Sequence, residues 1–244
     1  MSTVRVDDRP DDGIRCVTLA RPEARNALRR SEFMDLISAL ADASEDRGVR
    51  VLMLAAEGPT FCAGGDVKET GPIGSEDLAG HPVHELSARL AEFAKPLVAA
   101  VHGPAVGFGF TMLLHADLVV AGPGATFSAP FARMGVPTEA GSSYLLPAIA
   151  GSRVASRLLL LGETLVAREA LAHGLVSHLV DGDRDAVVAA ALGHAERLGR
   201  FRADALSVNK ELLRASHRDL VAAAQARERA ALAVQLRALS AGAG

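Results

Sequence analysis

Residues 95–110 read KPLVAAVHGPAVGFGF and are the most informative stretch of the chain. Leu97–Val101 is an apolar run without alternation, which is typical of a strand that is buried on both faces. Gly103-Pro104 ends this strand, and the composition of Ala105–Leu114 is that of a buried helix. The stretch therefore predicts a buried strand that leads, through a glycine-containing turn, into a buried helix.

Similar strands lie on both sides of this stretch. Val49–Ala55 (VRVLMLA) also lacks alternation, and Ile14–Leu19 and Leu118–Ala121 are rich in β-branched residues. Amphipathic helices are predicted between them, one capped by Ser31 and one over Glu85–Phe93. Buried strands that are connected by helices indicate the α/β class.

The second half of the sequence is mainly helical. Apolar residues recur there at helical spacing over six segments, at 140–149, 152–161, 167–172, 183–199, 203–216 and 219–239. The last segment is long and amphipathic, so it packs either on its own domain or on a neighbouring chain. No linker or repeat divides the chain, and we predict one domain with a helical C-terminal region.

Composition and charge exclude several functional classes. The chain has 244 residues, is 49% hydrophobic and carries a net charge of −3, without the basic surface that nucleic-acid binding requires. Cys16 and Cys62 are too few for a disulfide framework. The acidic N-terminus is not a secretory signal, and the uncharged run 97–116 is broken by Gly103-Pro104 and does not indicate a membrane span. We expect a cytoplasmic protein with neither nucleic-acid nor membrane partners.

Two glycine-rich turns are candidates for binding an anion. Cys62–Asp66 reads CAGGD and follows a predicted strand, and its glycines let backbone N–H groups approach a ligand. His102–Phe110 begins a helix, whose first N–H groups lack intrahelical partners. Together the turns offer two donors for an oxyanion. A purely structural turn, capped by Asp66, is the alternative interpretation.

One acidic residue stands out near the second turn in the sequence. Glu139 lies in GVPTEAGSS (135–143), directly before an apolar run, where a carboxylate could also serve only to stabilise a helix N-terminus. His81 and His84 are close in sequence, but Pro82 between them argues against a metal site, and none is predicted. Cys62 is interpreted as a small buried residue rather than a nucleophile.

An ordered series of motifs resembles the crotonase superfamily, that is, the enoyl-CoA hydratase/isomerase fold. The motifs are RPEARNAL (21–28), FCAGGD (61–66), KPLVAAVHG (95–103), Ala116-Asp117 and ALAHGLV (170–176). The resemblance implies a spiral of ββα repeats over residues 1–185, with a C-terminal helical region at 186–244 in the same structural unit. It also implies homotrimers or homohexamers, and an acyl-CoA thioester substrate whose enolate the protein stabilises.

The resemblance also assigns roles to particular residues. The oxyanion donors are the backbone N–H groups of Gly65 and Phe108. The CoA moiety, which belongs to the substrate so that no separate cofactor is needed, lies along the chain near Arg25, Ala27, Ala63, Gly64, Gly65, Asp66 and Val67. Phe131 and Met134 line the acyl pocket, and the loop from Thr70 to Pro82 borders the acyl tail.

Departures from the family pattern point to one kind of reaction. The positions of the two glutamates with which hydratases handle water are Thr111 and Phe131 here. The segment around Glu139 is instead similar to Δ3,Δ2-enoyl-CoA isomerases, which carry a single catalytic glutamate at that position. This implies an isomerase of fatty-acid breakdown that converts 3-enoyl-CoA to 2-trans-enoyl-CoA, with Glu139 acting as base and then as acid.

Four alternatives remain open. The same acid could serve a ring-opening isomerisation in aromatic degradation, a hydration, or, as in related dehalogenases with an Asp nucleophile at this position, attack by Glu139 itself. The chain could also be a non-catalytic acyl-CoA-binding member of the superfamily.

Overall fold

The structure is a computed structural model that describes residues 3–69 and 80–242, with side chains described up to residue 238. It contains two sheets. The strands are β1 (Val4–Arg9), β2 (Ile14–Leu19), β3 (Val51–Ala56), β4 (Leu97–Val101), β5 (Ala105–Val106), β6 (Leu118–Ala121), β7 (Thr126–Ser128), β8 (Thr164–Val166) and β9 (His178–Leu179). The larger sheet has the order β1-β2-β3-β4-β6-β9, and the smaller has the order β5-β7-β8. In the larger sheet β1 is antiparallel to β2, and the other pairs are parallel.

Helices cover both faces of the larger sheet. They are α1 (Arg30–Glu45), α2 (Val83–Glu92), α3 (Phe108–Thr111), α4 (Ser142–Ala150), α5 (Ser152–Leu159), α6 (Ala167–Ala172), α7 (Arg184–Gly199), α8 (Ala203–Ala215) and α9 (Arg218–Gly242). The α/β class predicted from the sequence is confirmed. Among the described residues, no helix is both long and apolar enough to cross a bilayer.

The central strands divide their side chains between two apolar layers. Val51 and Met53 of β3 face a layer that includes Ala191 and other small residues of α7. Leu52 and Leu54 face the larger layer, which includes side chains of α1 and α2. All six residues of β3 are therefore buried, and this two-sided burial explains why the sequence shows no alternation.

Two local predictions were wrong. The predicted helix at Ala105–Leu114 begins only at Phe108, because Ala105 and Val106 form β5 and pair with β7. Helix α1 begins at Arg30 with Arg29 as its N-cap rather than Ser31, since the Glu32 carboxylate accepts a hydrogen bond from the Arg29 N–H at 2.9 Å. At β5 the pairing with a distant strand outweighs the local signal, whereas at α1 a different local cap, three residues apart, is formed.

The C-terminal helices pack on the rest of the chain. Helix α7 contacts β3, β4 and β6, and α9 contacts α2 and α4. The long amphipathic segment thus lies on its own domain in the protomer and covers one side of the cavity described below. The proposed division at residue 185 stays a prediction.

Candidate active site

The two glycine-rich turns are joined by backbone hydrogen bonds. The Cys62 N–H donates to Pro104 O at 3.1 Å, and the Val106 N–H donates to Cys62 O at 2.9 Å. On the other side, Leu28 pairs in parallel with Gly65, so the Asp66 N–H donates to Leu28 O at 2.8 Å. In this parallel bridge Leu28 uses both its backbone groups, because its N–H also donates to Gly64 O at 2.8 Å. The Gly65 N–H therefore points away from Leu28.

Close packing at Gly64 brings the turns into contact. A Cβ atom at Gly64 would lie 2.8 Å from Val106 O and 3.4 Å from Phe108 N, and the residue has φ +85°. Phe108 begins α3, so its N–H has no intrahelical acceptor. Within the described ranges, neither the Gly65 N–H nor the Phe108 N–H donates a hydrogen bond. Both residues line one cavity, and their N–H groups remain available for a ligand.

We predict that Gly64→Ala lowers activity at least about 10²-fold, the typical cost of displacing an oxyanion donor. The added Cβ would push Val106 away and would require a left-handed backbone that alanine adopts only with strain. Steady-state kinetics measure the effect. Gly193→Ala in α7 is the matched control, because its Cβ would meet no atom within 4 Å. Full activity in Gly64→Ala would contradict this geometry.

The cavity has a volume of about 910 Å³. It is partly open to solvent, and its wall combines charged residues such as Arg25 and Lys68 with apolar ones such as Phe131 and Leu232. Every residue that the sequence analysis assigned to the site lies on its wall: Arg25, Ala27, Ala63, Gly64, Gly65, Asp66, Val67, Phe108, Phe131, Met134 and Glu139. Of the loop predicted to border the acyl tail, residues 70–79 lie outside the described part of the chain.

Glu139 lies on the cavity wall just before α4. The following residues, Ala140 at φ +60° and Gly141 at φ +74°, turn the chain sharply into the helix. The Glu139 side chain is half-buried by accessible surface, yet densely surrounded by protein. Burial, with a smaller contribution from the negative charge of Glu228, raises the pKa of Glu139 to about 8. Among the described residues, its carboxyl group forms no hydrogen bond or ion pair, so its proton is free to be exchanged with a ligand.

The two positions that hydratases use do not provide carboxylates. Thr111 is fully buried, its hydroxyl donates to Phe108 O at 3.5 Å, and it does not line the cavity. Phe131 does line the cavity, where it provides an apolar ring instead of a carboxylate. A second acid at either position is therefore missing.

The contribution of α9 to the cavity was not predicted from the sequence. Gln225, Glu228, Arg229 and Leu232 all line it. The only signal was an acidic residue within an amphipathic helix, which is ordinarily a solvent-exposed position. Here Glu228 is 7% exposed.

Other candidates from the sequence have structural roles. The His81 ring packs edge-on against Phe33 at 4.9 Å, and no group of three metal-ligating side chains occurs in residues 3–69 and 80–242. Cys62 is buried, and burial raises the pKa of its thiol to about 12, which disfavours a nucleophilic role. Asp66 caps its turn by accepting from the Lys68 N–H at 3.1 Å and pairs with Arg21 at 2.9 Å.

Comparison with known proteins identifies the family. The profile of the family described as Enoyl-CoA hydratase/isomerase matches residues 9–238. The chain belongs to the enoyl-CoA hydratase/isomerase family. The crotonase resemblance drawn from the motifs is thereby confirmed, together with the fold that it implied.

Relatives within this family are named for different activities. The chain is 36% identical to 2,3-dehydroadipyl-CoA hydratase of Escherichia coli K12, over 87% of this chain and 83% of that protein. It is 37% identical to the peroxisomal enoyl-CoA delta isomerase 3 of Mus musculus, over 69% of this chain and 55% of that protein. A crystal structure of an enoyl-CoA hydratase/isomerase from Pseudoalteromonas atlantica superposes with a TM-score of 0.88 at 36% identity, covering 96% of this chain and 92% of that one. The family is thus established, whereas hydration and isomerisation both occur among the names.

Proposed function

We propose that the protein is an acyl-CoA isomerase that converts 3-enoyl-CoA to 2-trans-enoyl-CoA in fatty-acid breakdown. The observation that carries this proposal is Glu139, a carboxyl group on the cavity wall with a pKa of about 8 and no hydrogen-bond or ion-pair partner among the described residues. A group that titrates near neutral pH serves both as base and as acid, which a shift of a double bond requires.

The reaction needs one carboxylate and two donors. Glu139 removes a proton from C2, so that the C2–H bond breaks and its electron pair moves into a dienolate. The negative charge develops on the thioester oxygen, which accepts hydrogen bonds from the N–H groups of Gly65 and Phe108. The protonated Glu139 then gives the same proton to C4, and the double bond is left between C2 and C3. A single such donor typically contributes about 2.7–4 kcal/mol to transition-state stabilisation.

The remaining cavity residues suit the two ends of the substrate. Arg25 offers positive charge to the nucleotide end of CoA, next to Ala27 and the backbone of residues 63–67. Phe131 and Met134 offer apolar surface to the acyl chain, and Phe131 limits the entry of water. Because CoA is part of the substrate, this proposal requires no additional cofactor.

Hydration is the second candidate, since the relative from Escherichia coli is named as a hydratase. It would need a second acid, and Glu228 is the cavity residue whose negative charge acts on Glu139. Both oxygens of Glu228 already accept backbone hydrogen bonds, from Gly141 and Ser143. Because both oxygens of Glu228 are engaged in this way, isomerisation is favoured over hydration.

An assay with two substrates tests the proposal. The purified protein is incubated with 3-enoyl-CoA and, separately, with 2-trans-enoyl-CoA in water. Appearance of the conjugated 2-enoyl absorbance from the first substrate supports the isomerase. Loss of that absorbance from the second substrate, with formation of 3-hydroxyacyl-CoA, supports the hydratase. Binding of CoA thioesters without turnover of either would overturn both.

We further propose that the protein assembles as a homotrimer or homohexamer in the cytoplasm. Large apolar side chains are exposed on α8 and just before it, at Phe201, Val208, Leu212 and Leu213, and burying such side chains is a main source of association free energy. Light scattering is expected to give about 76 kDa for three chains of 25.3 kDa, or twice that mass; a mass of one chain would refute the assembly. Cys16 and Cys62 are free thiols, as in a reducing compartment.

A further inference from the structure

The carboxylate of Glu228 connects α9 to the start of α4. Its Oε2 accepts a hydrogen bond from the Gly141 N–H at 2.8 Å, and its Oε1 accepts one from the Ser143 N–H at 2.9 Å. These N–H groups belong to the first turn of α4, where no side chain of the helix itself supplies a cap. A buried carboxylate from a distant helix therefore caps the helix next to Glu139.

This cap restrains an otherwise unfavourable backbone. Ala140 has φ +60°, a conformation that costs a residue with a Cβ free energy and persists only where the surroundings hold it. Glu228 accepts from the N–H of the peptide group between Ala140 and Gly141. The Nε2 of His115 donates to the oxygen of the same peptide group, Ala140 O, at 2.8 Å, from a ring that burial keeps neutral by lowering its pKa to about 4. The turn that aims Glu139 into the cavity is thus fixed by two distant side chains.

The charge of Glu228 also acts on Glu139. In the described part of the chain, Glu228 forms no ion pair with a lysine or arginine, so its negative charge is balanced mainly by the dipole of α4. Other ionisable groups line the cavity or back the turn, namely Arg21, Glu23, Arg25, Asp66, Lys68, His81, His84, His115 and Arg229. Among charged groups, Glu228 is the one that raises the pKa of Glu139.

We propose that Glu228 is a positioning residue for Glu139, which fixes the turn at 139–143 through its two hydrogen bonds and adds a negative charge next to the neighbouring carboxyl group. The role of Glu228 in catalysis rests on the proposed isomerase function, whereas its effect on the titration of Glu139 does not. Anchoring the turn needs two acceptor oxygens within hydrogen-bond distance of the Gly141 and Ser143 N–H groups. The electrostatic effect on Glu139 needs only a negative charge. These two requirements are separable by substitution.

Two variants separate them. Glu228→Gln keeps the length of the side chain but removes the charge and one acceptor oxygen. Glu228→Asp keeps the charge, but its shorter side chain cannot reach both N–H groups in the same way. The control is Glu211→Gln on α8, where Glu211 is exposed and lies 3.6 Å from Arg218.

The decisive measurement is the titration of Glu139 by 13C NMR in full-length protein with labelled glutamate side chains. Its signal is assigned as the one missing in Glu139→Gln. We expect the midpoint in Glu228→Gln to fall by about one pH unit, while Glu228→Asp and Glu211→Gln stay near the wild-type value. An unchanged midpoint in folded Glu228→Gln would overturn the electrostatic part of the proposal.

Kinetics test the anchoring part. If the isomerase is active, the rise of kcat/KM with pH should move to lower pH in Glu228→Gln. In Glu228→Asp we expect kcat to fall about tenfold or more with little change in KM, because Glu139 is misdirected while the CoA contacts remain. Wild-type kcat in Glu228→Asp would overturn the anchoring role. If no thioester reacts at all, the proposed function fails, but the NMR titration still decides whether Glu228 acts on Glu139.

Discussion

Glu139→Gln is expected to reduce the isomerisation of 3-enoyl-CoA by about 10²–10⁴-fold, the range that general acid–base catalysis contributes. The amide has nearly the same shape as the carboxyl group, so the cavity keeps its volume and the substrate its contacts. What is lost is the ability to accept a proton from C2 and to return it at C4. The effect should therefore appear in kcat, with KM nearly unchanged.

The control for this variant is Glu92→Gln, which changes an exposed glutamate at the end of α2. It should retain wild-type kinetics. Exchange of the C2 proton in D2O gives an independent measurement, since it needs only the first proton transfer. Turnover and exchange that persist in Glu139→Gln would assign the proton transfer to another group.

The pH dependence of the wild-type enzyme follows from the same carboxyl group. Because the folded pKa of Glu139 lies near 8, only about a tenth of the molecules carry the ionised base at pH 7. The base form, and with it kcat/KM, should increase as the pH rises through 8. Raising the carboxyl pKa also has a cost in stability, because the unfolded chain ionises this group near pH 4.5. That cost is absent well below pH 4.5, develops between pH 4.5 and 8, and is full above 8.

The sequence predicted the strands β2, β3, β4 and β6 and the glycine turns well, because their signals are local. The unalternating run Leu97–Val101 and the placement of Gly64 and Gly65 after a strand follow from two-sided burial and from close backbone contact. Motifs then brought Glu139 into consideration, although the residue by itself resembles any carboxylate before a helix. The structure adds that burial and a neighbouring charge perturb this group.

What the sequence did not predict depends on contacts between distant residues. Strand β1 was not predicted, because Val4–Arg9 is a charged edge strand of which only Val4 is buried. Glu228 was not recognised, since its two partners lie 85 and 87 positions away. Hydrophobic periodicity reports which face of a helix is apolar, but not which buried polar group meets a backbone N–H across the fold.

Asp117→Asn is expected to lower the free energy of unfolding by about 3 kcal/mol at pH 7, the scale of an uncompensated buried charge. Asp117 Oδ2 accepts hydrogen bonds from the Lys210 Nζ at 2.6 Å and from the Leu97 N–H at 2.7 Å. Lys210 is 5% exposed and also donates to Lys95 O at 2.6 Å. The amide of asparagine can keep one accepted bond, but it leaves the ammonium group of Lys210 buried without its counter-charge. Urea unfolding monitored by circular dichroism measures the change.

A double-mutant cycle with Lys210→Met distinguishes this charge effect from a loss of packing. Lys210→Met should cost less than Asp117→Asn, because the carboxylate that it leaves behind is 29% exposed and still lies 3.6 Å from Arg214. The double variant should be more stable than Asp117→Asn alone, since it contains no buried unpaired ammonium. Additive effects of the two substitutions would contradict the pairing.

The pH dependence of the same cycle tests whether the charge of Lys210 is the cause of the stabilisation. Burial lowers the pKa of Lys210 to about 8, against the opposing effect of Asp117, while the unfolded chain keeps the ordinary value of 10.5. The unfolded state therefore binds more protons between pH 8 and 10.5, so this residue makes the wild-type protein more stable as the pH rises through that interval. Above about pH 10 Lys210 is neutral in the folded state with or without Asp117, and the difference between wild type and Asp117→Asn should shrink. Lys210 is the only buried residue of α8, and its ion pair attaches this largely exposed helix to the rest of the fold together with the hydrogen bonds that Arg214 donates to Phe93 O and His115 O. A difference that stays constant from pH 7 to 10 would mean that hydrogen bonding, rather than charge, holds the helix in place.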